Sequence, residues 1–315
     1  MTRAEVCEFF RAHTRFVILT HRRPDGDTIG CAAALCMGLR QLGKDAWVLQ
    51  NRQFTARFAP YLEGLVCAQA PQDAVLVAVD IAAPDLIMLD AETLGEKIAL
   101  AIDHHESNRL SCPRLVEADK AACGEIIYAL LQQLGLRLTP ALALPLYVAV
   151  STDTGCFKYS NTSANTLRVA ADLVETGADV AAVNKLFFDT KSLSRLKLEA
   201  RLVEHMELYA GGRVAIMQLP RTWIQELGIT EDDIDSISGF ARSIEGVQIG
   251  VTIREVENGL GKLSVRTDRN YNASEICALL GGGGHAAAAG ASVPGGIEGA
   301  HRAIVQALGT LGIPL

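Results

Sequence analysis

Continuous apolar runs alternate with helix-like stretches along the first half of the chain. The runs are RFVILT at 15–20, AWVLQ at 46–50, AVLVAVD at 74–80 and KIALAID at 97–103. Runs without apolar–polar alternation are typical of strands covered on both faces, as in a parallel sheet. The pattern therefore predicts an α/β domain built on a parallel sheet.

Helical patterns complete this domain and connect it to a second one. Residues 29–42, 124–135 and 166–176 have helical patterns, and the first two end at glycine. The charged stretch 185–209 lacks turn signals and indicates a helix between domains. Strand-like runs follow at 213–219, 247–256 and 261–267. We predict a first domain at 1–188, a connecting helix at 189–212 and a smaller α/β domain at 213–315.

Composition disfavours long nucleic acids and membranes as partners and favours a cytoplasmic location. The chain has 29 basic and 36 acidic residues and a formal net charge of -7, so it lacks the basic surface that long nucleic acids require. No apolar run is long enough to span a membrane. Its 8 cysteines are scattered and form no C-x-x-C pair, which disfavours a zinc knuckle and suits a reducing cytoplasm.

The segment HRRPDGD follows the first predicted strand. Pro24 and Gly26 predict a tight turn. This turn would place His21, Asp25 and Asp27 at the carboxyl end of the strand, where open α/β sheets bind ligands. Taken alone, a polar surface turn is the favoured interpretation.

Three further segments place acidic or imidazole side chains after apolar runs. Asp80 closes VLVAVD, where a buried carboxylate is costly unless it is paired or binds metal; an N-cap is an equally weighted alternative. Asp103, His104 and His105 close the next run, although a surface histidine pair is the ordinary alternative. Asp153 follows the apolar run before Thr-Gly, and an ordinary turn is its alternative.

Together these segments favour a metal centre. A parallel sheet would gather strand-end side chains on one edge. The set is rich in carboxylates, includes imidazoles and has no thiolate, which suits manganese or magnesium more than structural zinc. The side chains suffice for two metal ions that share one carboxylate, a recurrent design for phosphoryl transfer.

The order of these motifs resembles that of the DHH phosphoesterases. The resemblance spans essentially the whole chain, because GGGGHAAAAG at 281–290 is similar to the glycine-rich histidine motif of an accessory C-terminal domain in that family. The layout looks most like the cytoplasmic branch that acts as nanoRNase and as phosphatase of 3'-phosphoadenosine 5'-phosphate. One departure is Cys31, where the family often has serine.

The resemblance implies a role for each matching residue. One metal ion would be held by His21, Asp25 and Asp80. The other would be held by Asp27, Asp80, His104 and Asp153, with Asp80 bridging. In the catalytic set, His105 would face the scissile phosphate and Asp103 would support the ligands. The substrate phosphate would be bound by Arg266, Gly282, Gly283, Gly284 and His285.

General chemistry agrees with the substrate-binding roles. Glycines let backbone N–H groups approach a phosphate closely, and the arginine fork suits phosphate geometry. The plain alternative for 281–290 is a flexible loop leading into a small-residue helix. Ordering four consecutive glycines is entropically costly, so we favour a functional reason.

The sequence thus predicts a metal-dependent phosphoesterase in which a metal-activated hydroxide attacks phosphorus. The resemblance implies hydrolysis of short oligoribonucleotides, as an exonuclease, and of 3'-phosphoadenosine 5'-phosphate. We expect two divalent cations, Mn²⁺ before Mg²⁺ or Co²⁺. Small phosphorylated nucleotides or very short RNAs are the expected partners, with no membrane. The natural substrate, the direction of RNA attack and the oligomeric state, including a homodimer, stay open.

Three alternatives remain open. The first is a pyrophosphatase or polyphosphatase of the same superfamily, although the lysine- and arginine-rich terminal motif of such pyrophosphatases is missing. The second is a phosphodiesterase of linear or cyclic dinucleotides. The third is a non-catalytic nucleotide sensor, which the presence of all expected ligands disfavours. A dehydrogenase is excluded because no G-x-G-x-x-G follows the first strand.

Overall fold

The computed structural model describes residues 1–88, 91–234, 237–256 and 259–313. The chain divides into two compact units, Met1–Thr190 and Lys191–Leu315. The last two residues of the predicted domain 213–315 lie outside the described residues, as do 235–236 and 257–258. Each unit contains its own sheet, and the predicted α/β class is confirmed.

A six-stranded parallel sheet forms the centre of the first unit, in the order β3-β2-β1-β4-β5-β6. In chain order its strands are β1 Arg15–Leu19, β2 Asp45–Leu49, β3 Val66–Cys67, β4 Val75–Val79, β5 Ile98–Asp103 and β6 Arg114–Val116. Its helices are α1 Arg3–Ala12, α2 Gly26–Gln41, α3 Ala59–Leu62, α4 Ala91–Gly95, α5 Cys123–Gln133, α6 Pro140–Asp153, α7 Ala164–Glu175 and α8 Val180–Asn184. A π-helical turn, Lys185–Asp189, follows α8.

Both faces of this sheet are covered, as the continuous apolar runs predict. Along β1, Phe16 and Ile18 belong to one hydrophobic cluster, which includes residues of α1, α2, α5 and α6. Val17 and Leu19 point to the opposite face and join a second cluster with Ile87. Alternation of this kind leaves no polar face on the strand, so the sequence shows no period of two.

The second unit is built on a mixed six-stranded sheet in the order β11-β12-β10-β9-β8-β7, with only the β8–β9 pair parallel. Its strands are β7 Glu207–Tyr209, β8 Val214–Leu219, β9 Ile249–Glu255, β10 Leu260–Thr267, β11 Gly283–Gly284 and β12 Ala288–Pro294. Its helices are α9 Leu193–Glu204, α10 Arg221–Leu227, α11 Glu231–Ile234, α12 Ala273–Ala278 and α13 Gly296–Thr310.

The segment 189–212, predicted as a connecting helix, contains α9 and then β7, an edge strand of the second sheet. Leu198 and Leu202 of α9 are buried in a cluster with Ala215 and Met217 of β8. α9 is therefore part of the core of the second unit. Among the described residues, no helix has both the length and the apolar character that a membrane span needs.

Candidate metal centre

The candidate site lies where β1, β4 and β5 end. His21 and Asp25 stand in the loop after β1, Asp80 directly follows β4, and His104 directly follows β5. Because the strands are parallel, their carboxyl ends meet on one edge of the sheet. The structure brings these side chains together there, as the sequence predicts.

Asp153 reaches the same place from a different element. The sequence places it after an apolar strand-like run, but it is the last residue of helix α6. That prediction was wrong because α6 is buried on nearly all sides, so its sequence shows no amphipathic period. The side chain nevertheless lies in the cluster, with Oδ2 3.4 Å from His104 Nε2.

Close helix packing fixes the distance between the acidic side chains. A Cβ atom at Gly30 of α2 would lie 2.8 Å from the Cβ of Ala149 on α6. A Cβ atom at Gly124 of α5 would lie 2.6 Å from the same alanine. These distances are too short for any larger residue. α2 therefore meets the main chain of α6 at Gly30, and α5 packs against the Ala149 side chain at Gly124.

Three groups of side chains in the described part of the chain could each hold a metal ion, since their ligand atoms lie within 4.8 Å of one another. They are His21, Asp25 and Asp80; Asp27, His104 and Asp153; and Asp80, Asp103, His104 and His105. Only carboxylates and imidazoles occur in them, a donor set that suits hard or borderline divalent cations.

Asp80 lies between the first two groups. Its Oδ2 is 3.7 Å from His21 Nε2, and its Oδ1 is 3.6 Å from His104 Nε2. The buried Oδ1 atom has no hydrogen-bond partner among the described residues. Its backbone φ of 57° is strained for a non-glycine residue, a feature that concentrates at functional sites. A cation at this position would satisfy the orphaned oxygen.

The rings of His21 and His104 are oriented alike. His21 Nδ1 lies 2.8 Å from the carbonyl oxygen of Arg22, and His104 Nδ1 lies 3.2 Å from that of Lys120. A carbonyl can only accept, so each Nδ1 carries the proton and each Nε2 presents a lone pair to the cluster. Metal-binding histidines are usually held in this way.

His105 differs because its Nδ1 lies 2.8 Å from Asp103 Oδ1. Asp103 Oδ1 also accepts from the amides of His104 and His105, and Oδ2 accepts from Asn108 Nδ2 at 2.6 Å. Burial alone would raise the pKa of Asp103, but these bonds outweigh it and lower the pKa below its ordinary value. Asp103 thus orients its neighbours, which leaves the first two groups as the better metal sites.

Sequence reasoning missed Asn108 and the contact of Cys31. Asn108 is buried, and its Nδ2 also donates to the Ile81 carbonyl at 3.0 Å. Its position three residues after His105 is the sequence feature that could have indicated a role at this site. Cys31 Sγ lies 3.2 Å from Asp27 Oδ1. Burial raises the pKa of the Cys31 thiol well above its ordinary value, so the sulfur keeps its proton and acts as the donor.

The acidic side chains repel one another in the protein without metal. Burial, together with Asp153 and Asp25, raises the pKa of Asp27 well above its ordinary value. Burial, followed by Asp27, does the same for Asp80. Burial and Asp25 raise the pKa of Asp153 to about 7. The raised pKa values show that ionising these neighbouring carboxyl groups together is unfavourable. A bound divalent cation would offset the repulsion between their negative charges.

The predicted phosphate-binding residues lie in the second unit. The glycine-rich segment is a β-hairpin and not a loop that leads into a helix, because β11 and β12 pair antiparallel. His285 is at the turn, with its amide donating to the Ala288 carbonyl at 2.8 Å. Arg266 of β10 pairs with Ala288 of β12, so the arginine and the hairpin turn meet at one end of the sheet. Arg266 Nη2 also donates to Ser238 Oγ at 3.0 Å.

Two glycines of this hairpin differ in whether the fold requires them. At Gly284, φ is 150° and a Cβ atom would lie 2.6 Å from the Ala288 carbonyl oxygen, so the fold requires glycine there. At Gly283, no described atom lies within 4 Å of where a Cβ atom would stand. Packing therefore does not explain Gly283, whose backbone is open to approach from outside.

Two family descriptions match this chain. The DHH family, N-terminal domain, matches residues 15–150, and the DHHA1 domain matches residues 211–310. The bifunctional oligoribonuclease and PAP phosphatase NrnA of Thermus thermophilus is 34% identical over 297 residues, which cover 92% of this chain and 88% of that protein. The protein of the same name from Mycoplasma pneumoniae is 27% identical, covering 91% of this chain and 90% of its own length.

A solved structure has a similar fold over nearly the whole length of the chain. The exopolyphosphatase-related protein from Bacteroides fragilis superposes with a TM-score of 0.87 at 22% sequence identity, covering 98% of this chain and 95% of that one. At this identity the likeness establishes the fold alone. Fold and sequence comparisons therefore agree with the motif order along the chain.

Proposed function

The chain belongs to the DHH family of phosphoesterases, and from this premise we propose that it hydrolyses short oligoribonucleotides and 3'-phosphoadenosine 5'-phosphate to mononucleotides. Membership makes it a hydrolase. The substrates follow from the relatives that match nearly its full length, which are named for these two activities. The alternatives of a pyrophosphatase and a cyclic dinucleotide phosphodiesterase are not favoured by these matches.

The position of Asp80 between two ligand groups is the observation that carries this proposal. A carboxylate whose two oxygens face different histidines, at 3.7 Å and 3.6 Å, is suited to bridge two cations. We propose that His21, Asp25 and Asp80 hold one cation, and that Asp27, Asp80, His104 and Asp153 hold the other. Carboxylate and imidazole ligands favour manganese, with magnesium or cobalt as substitutes.

Bound cations would lower the pKa of water and neutralise charge on the phosphoryl group. The protein's own contribution begins with His105, whose ring is held by Asp103. Because its Nδ1 is engaged at 2.8 Å, Nε2 is the ring atom that can contact a phosphoryl oxygen. We propose that His105 binds and orients the scissile phosphate there, and that Asn108 and Asp103 hold the ring in place.

We propose that the second unit binds another phosphate of the substrate. Arg266 supplies a planar fork of donors, and Gly282, Gly283 and Gly284 supply main-chain amides that a phosphate can approach. His285, exposed at the hairpin turn, adds a ring donor. The open space at Gly283 supports this role because no packing contact accounts for the glycine.

Charge limits the length of the substrate. The net charge of -7 disfavours an extended track along which each RNA phosphate would be neutralised. We therefore propose a preference for nucleoside bisphosphates and RNAs of a few nucleotides. All eight cysteines are free, which supports action in a reducing compartment, the cytoplasm.

A hydrolysis panel in manganese tests the proposal. It contains 3'-phosphoadenosine 5'-phosphate, a labelled RNA series from dinucleotide to long single strand, linear and cyclic dinucleotides, and pyrophosphate. We expect the highest kcat/KM for the shortest RNAs and the bisphosphate, and no hydrolysis in excess chelator. Full activity after verified metal removal, or equal rates on long and short RNA, would contradict the proposal. Preferred cleavage of pyrophosphate would support the pyrophosphatase alternative instead.

A further inference from the structure

The Asp27 carboxylate is buried and accepts three hydrogen bonds from two different helices. The amide of Cys123 donates to Oδ2 at 2.6 Å, and the amide of Gly124 donates to Oδ1 at 2.9 Å. The third donor is the thiol of Cys31, 3.2 Å from Oδ1. Cys31 is thus the donor to this carboxylate that a substitution can remove without touching the main chain.

The two amide donors stand at the beginning of α5. Ala122, at the N-cap of that helix, provides no side-chain hydrogen bond, and an alanine is a poor cap. Asp27 supplies the missing acceptor from another part of the chain, and its negative charge is favourable beside the helix N-terminus. The carboxylate is therefore tied to α5 on one side and to its own helix, α2, on the other.

The two oxygens of Asp27 face different surroundings. Oδ2 faces the cluster and lies 3.8 Å from His104 Nε2. Oδ1 is occupied by the Cys31 thiol and the Gly124 amide. Oδ2 also accepts from the Cys123 amide but keeps a second lone pair toward the cluster, whereas Oδ1 has two donors. The carboxylate therefore cannot rotate without losing donors, and Oδ2 is the oxygen that faces a metal ion.

We infer that Cys31 is a positioning residue for Asp27, in which the thiol anchors Oδ1 so that Oδ2 is the atom presented to the metal. The inference rests on the proposed role of Asp27 as a ligand. Groups that hold a metal ligand in place commonly change metal affinity by about 10–100-fold when they are removed. Because a thiol is a weak donor, we expect a value near the lower end.

The same helix provides a matched control. Cys36 is as fully buried as Cys31, and its Sγ contacts the Ala46 carbonyl at 3.2 Å rather than a candidate ligand. Replacing either cysteine by alanine removes one sulfur from the same hydrophobic core. Any difference between the two variants in metal binding therefore reports the polar contacts of the Cys31 thiol beside the site, to Asp27 and Cys123, and not the loss of packing.

The test measures manganese affinity by calorimetry in the full chain, without substrate, for wild type, Cys31→Ala, Cys31→Ser and Cys36→Ala. We expect Cys31→Ala to bind manganese about tenfold more weakly. Cys31→Ser should bind as wild type does, because a hydroxyl on the same carbon is also a donor. Cys36→Ala should retain wild-type affinity, although its unfolding temperature in chelator falls.

Three outcomes would overturn the inference: unchanged affinity in Cys31→Ala, equal losses in Cys31→Ala and Cys36→Ala, or no recovery in a folded Cys31→Ser. Circular dichroism establishes folding, and the serine variant keeps the test decisive where the alanine variant fails to fold. Wild-type protein that binds no manganese would instead contradict the proposed function, so the two failures are distinguishable.

Discussion

The Nδ1 atom of His105 lies 2.8 Å from the Oδ1 atom of Asp103. The adjacent histidine, His104, has its Nδ1 beside the Lys120 carbonyl instead and directs Nε2 toward Asp27, Asp80 and Asp153. The rings of His104 and His105 therefore have different contacts, although the two residues are adjacent in the chain. One faces the candidate ligands, and the other is held by a carboxylate that already accepts several hydrogen bonds.

Substitution by glutamine should separate the roles of these two histidines. We expect His104→Gln to weaken manganese binding, because it removes a ring nitrogen that faces three carboxylates. We expect His105→Gln to keep manganese affinity within about twofold while lowering kcat by about 10²-fold, the smaller end of the range for losing a donor to the reacting group. Calorimetry and steady-state kinetics on both variants check this. Equal losses of affinity in the two would show that His105 is itself a ligand.

Asp80→Asn should lose more activity than Asp25→Asn, because Asp80 contacts both candidate groups and Asp25 only one. Asparagine is suited to both backbones: it tolerates the positive φ at position 80 and caps helices well at position 25. We expect Asp80→Asn to fold in chelator at least as stably as wild type, since it removes a buried charge. Near wild-type turnover in this variant would rule out a bridging role.

Metal affinity should fall as the pH is lowered through about 7. Burial and Asp25 raise the pKa of Asp153 to about 7, so below that pH a cation must displace a proton. A carboxyl whose pKa is raised by folding destabilises the metal-free fold as pH rises from its ordinary pKa toward the raised one.

We therefore expect the gain in unfolding temperature on adding manganese to increase from about pH 5 to about pH 8. Thermal unfolding with manganese or with chelator across this range measures it. Asp153→Asn should flatten the dependence because the titrating group is gone. A gain that is constant with pH in wild type would contradict the prediction.

Gly283→Ala should raise KM without harming the fold. A methyl group at this position meets no described atom within 4 Å, and replacing glycine by alanine commonly stabilises by about 0.4–1 kcal/mol where the backbone permits it. A phosphate held by the main chain, however, would be pushed away. Gly309→Ala in α13 is the control: this position is equally open, and the substitution should leave KM unchanged. An unchanged KM in Gly283→Ala would contradict a role of the hairpin in substrate binding.

The sequence predicts the first sheet well because buried parallel strands have a simple signature. The runs at 15–20, 74–80 and 97–103 correspond to β1, β4 and β5, and the side chains that follow them meet as expected. Local sequence suffices here, because the topology of parallel strands brings their carboxyl ends together whatever connects them.

Elsewhere the deciding contacts are between distant residues. α6 contains Pro145 and is buried nearly all round, so neither propensity nor periodicity separates it from a strand before Asp153. The small residues of 281–290 have no periodic pattern. They form a hairpin through the pairing of β11 with β12, which itself pairs with β10. The thiol of Cys31 is an ordinary core group in the sequence, and its contact with Asp27 becomes visible only in the structure.

The close approach of α2, α5 and α6 at Ala149 has a consequence for the choice of ion. The contacts at Gly30 and Gly124 leave no space for a side chain between the helices, so close packing of α2 and α6 constrains the spacing of Asp27 and Asp153. Calcium requires longer bonds and more oxygen ligands than magnesium, and it takes a more flexible geometry. We therefore expect the metal centre to discriminate between cations by ionic radius. Calcium should bind weakly there even at a high calcium concentration.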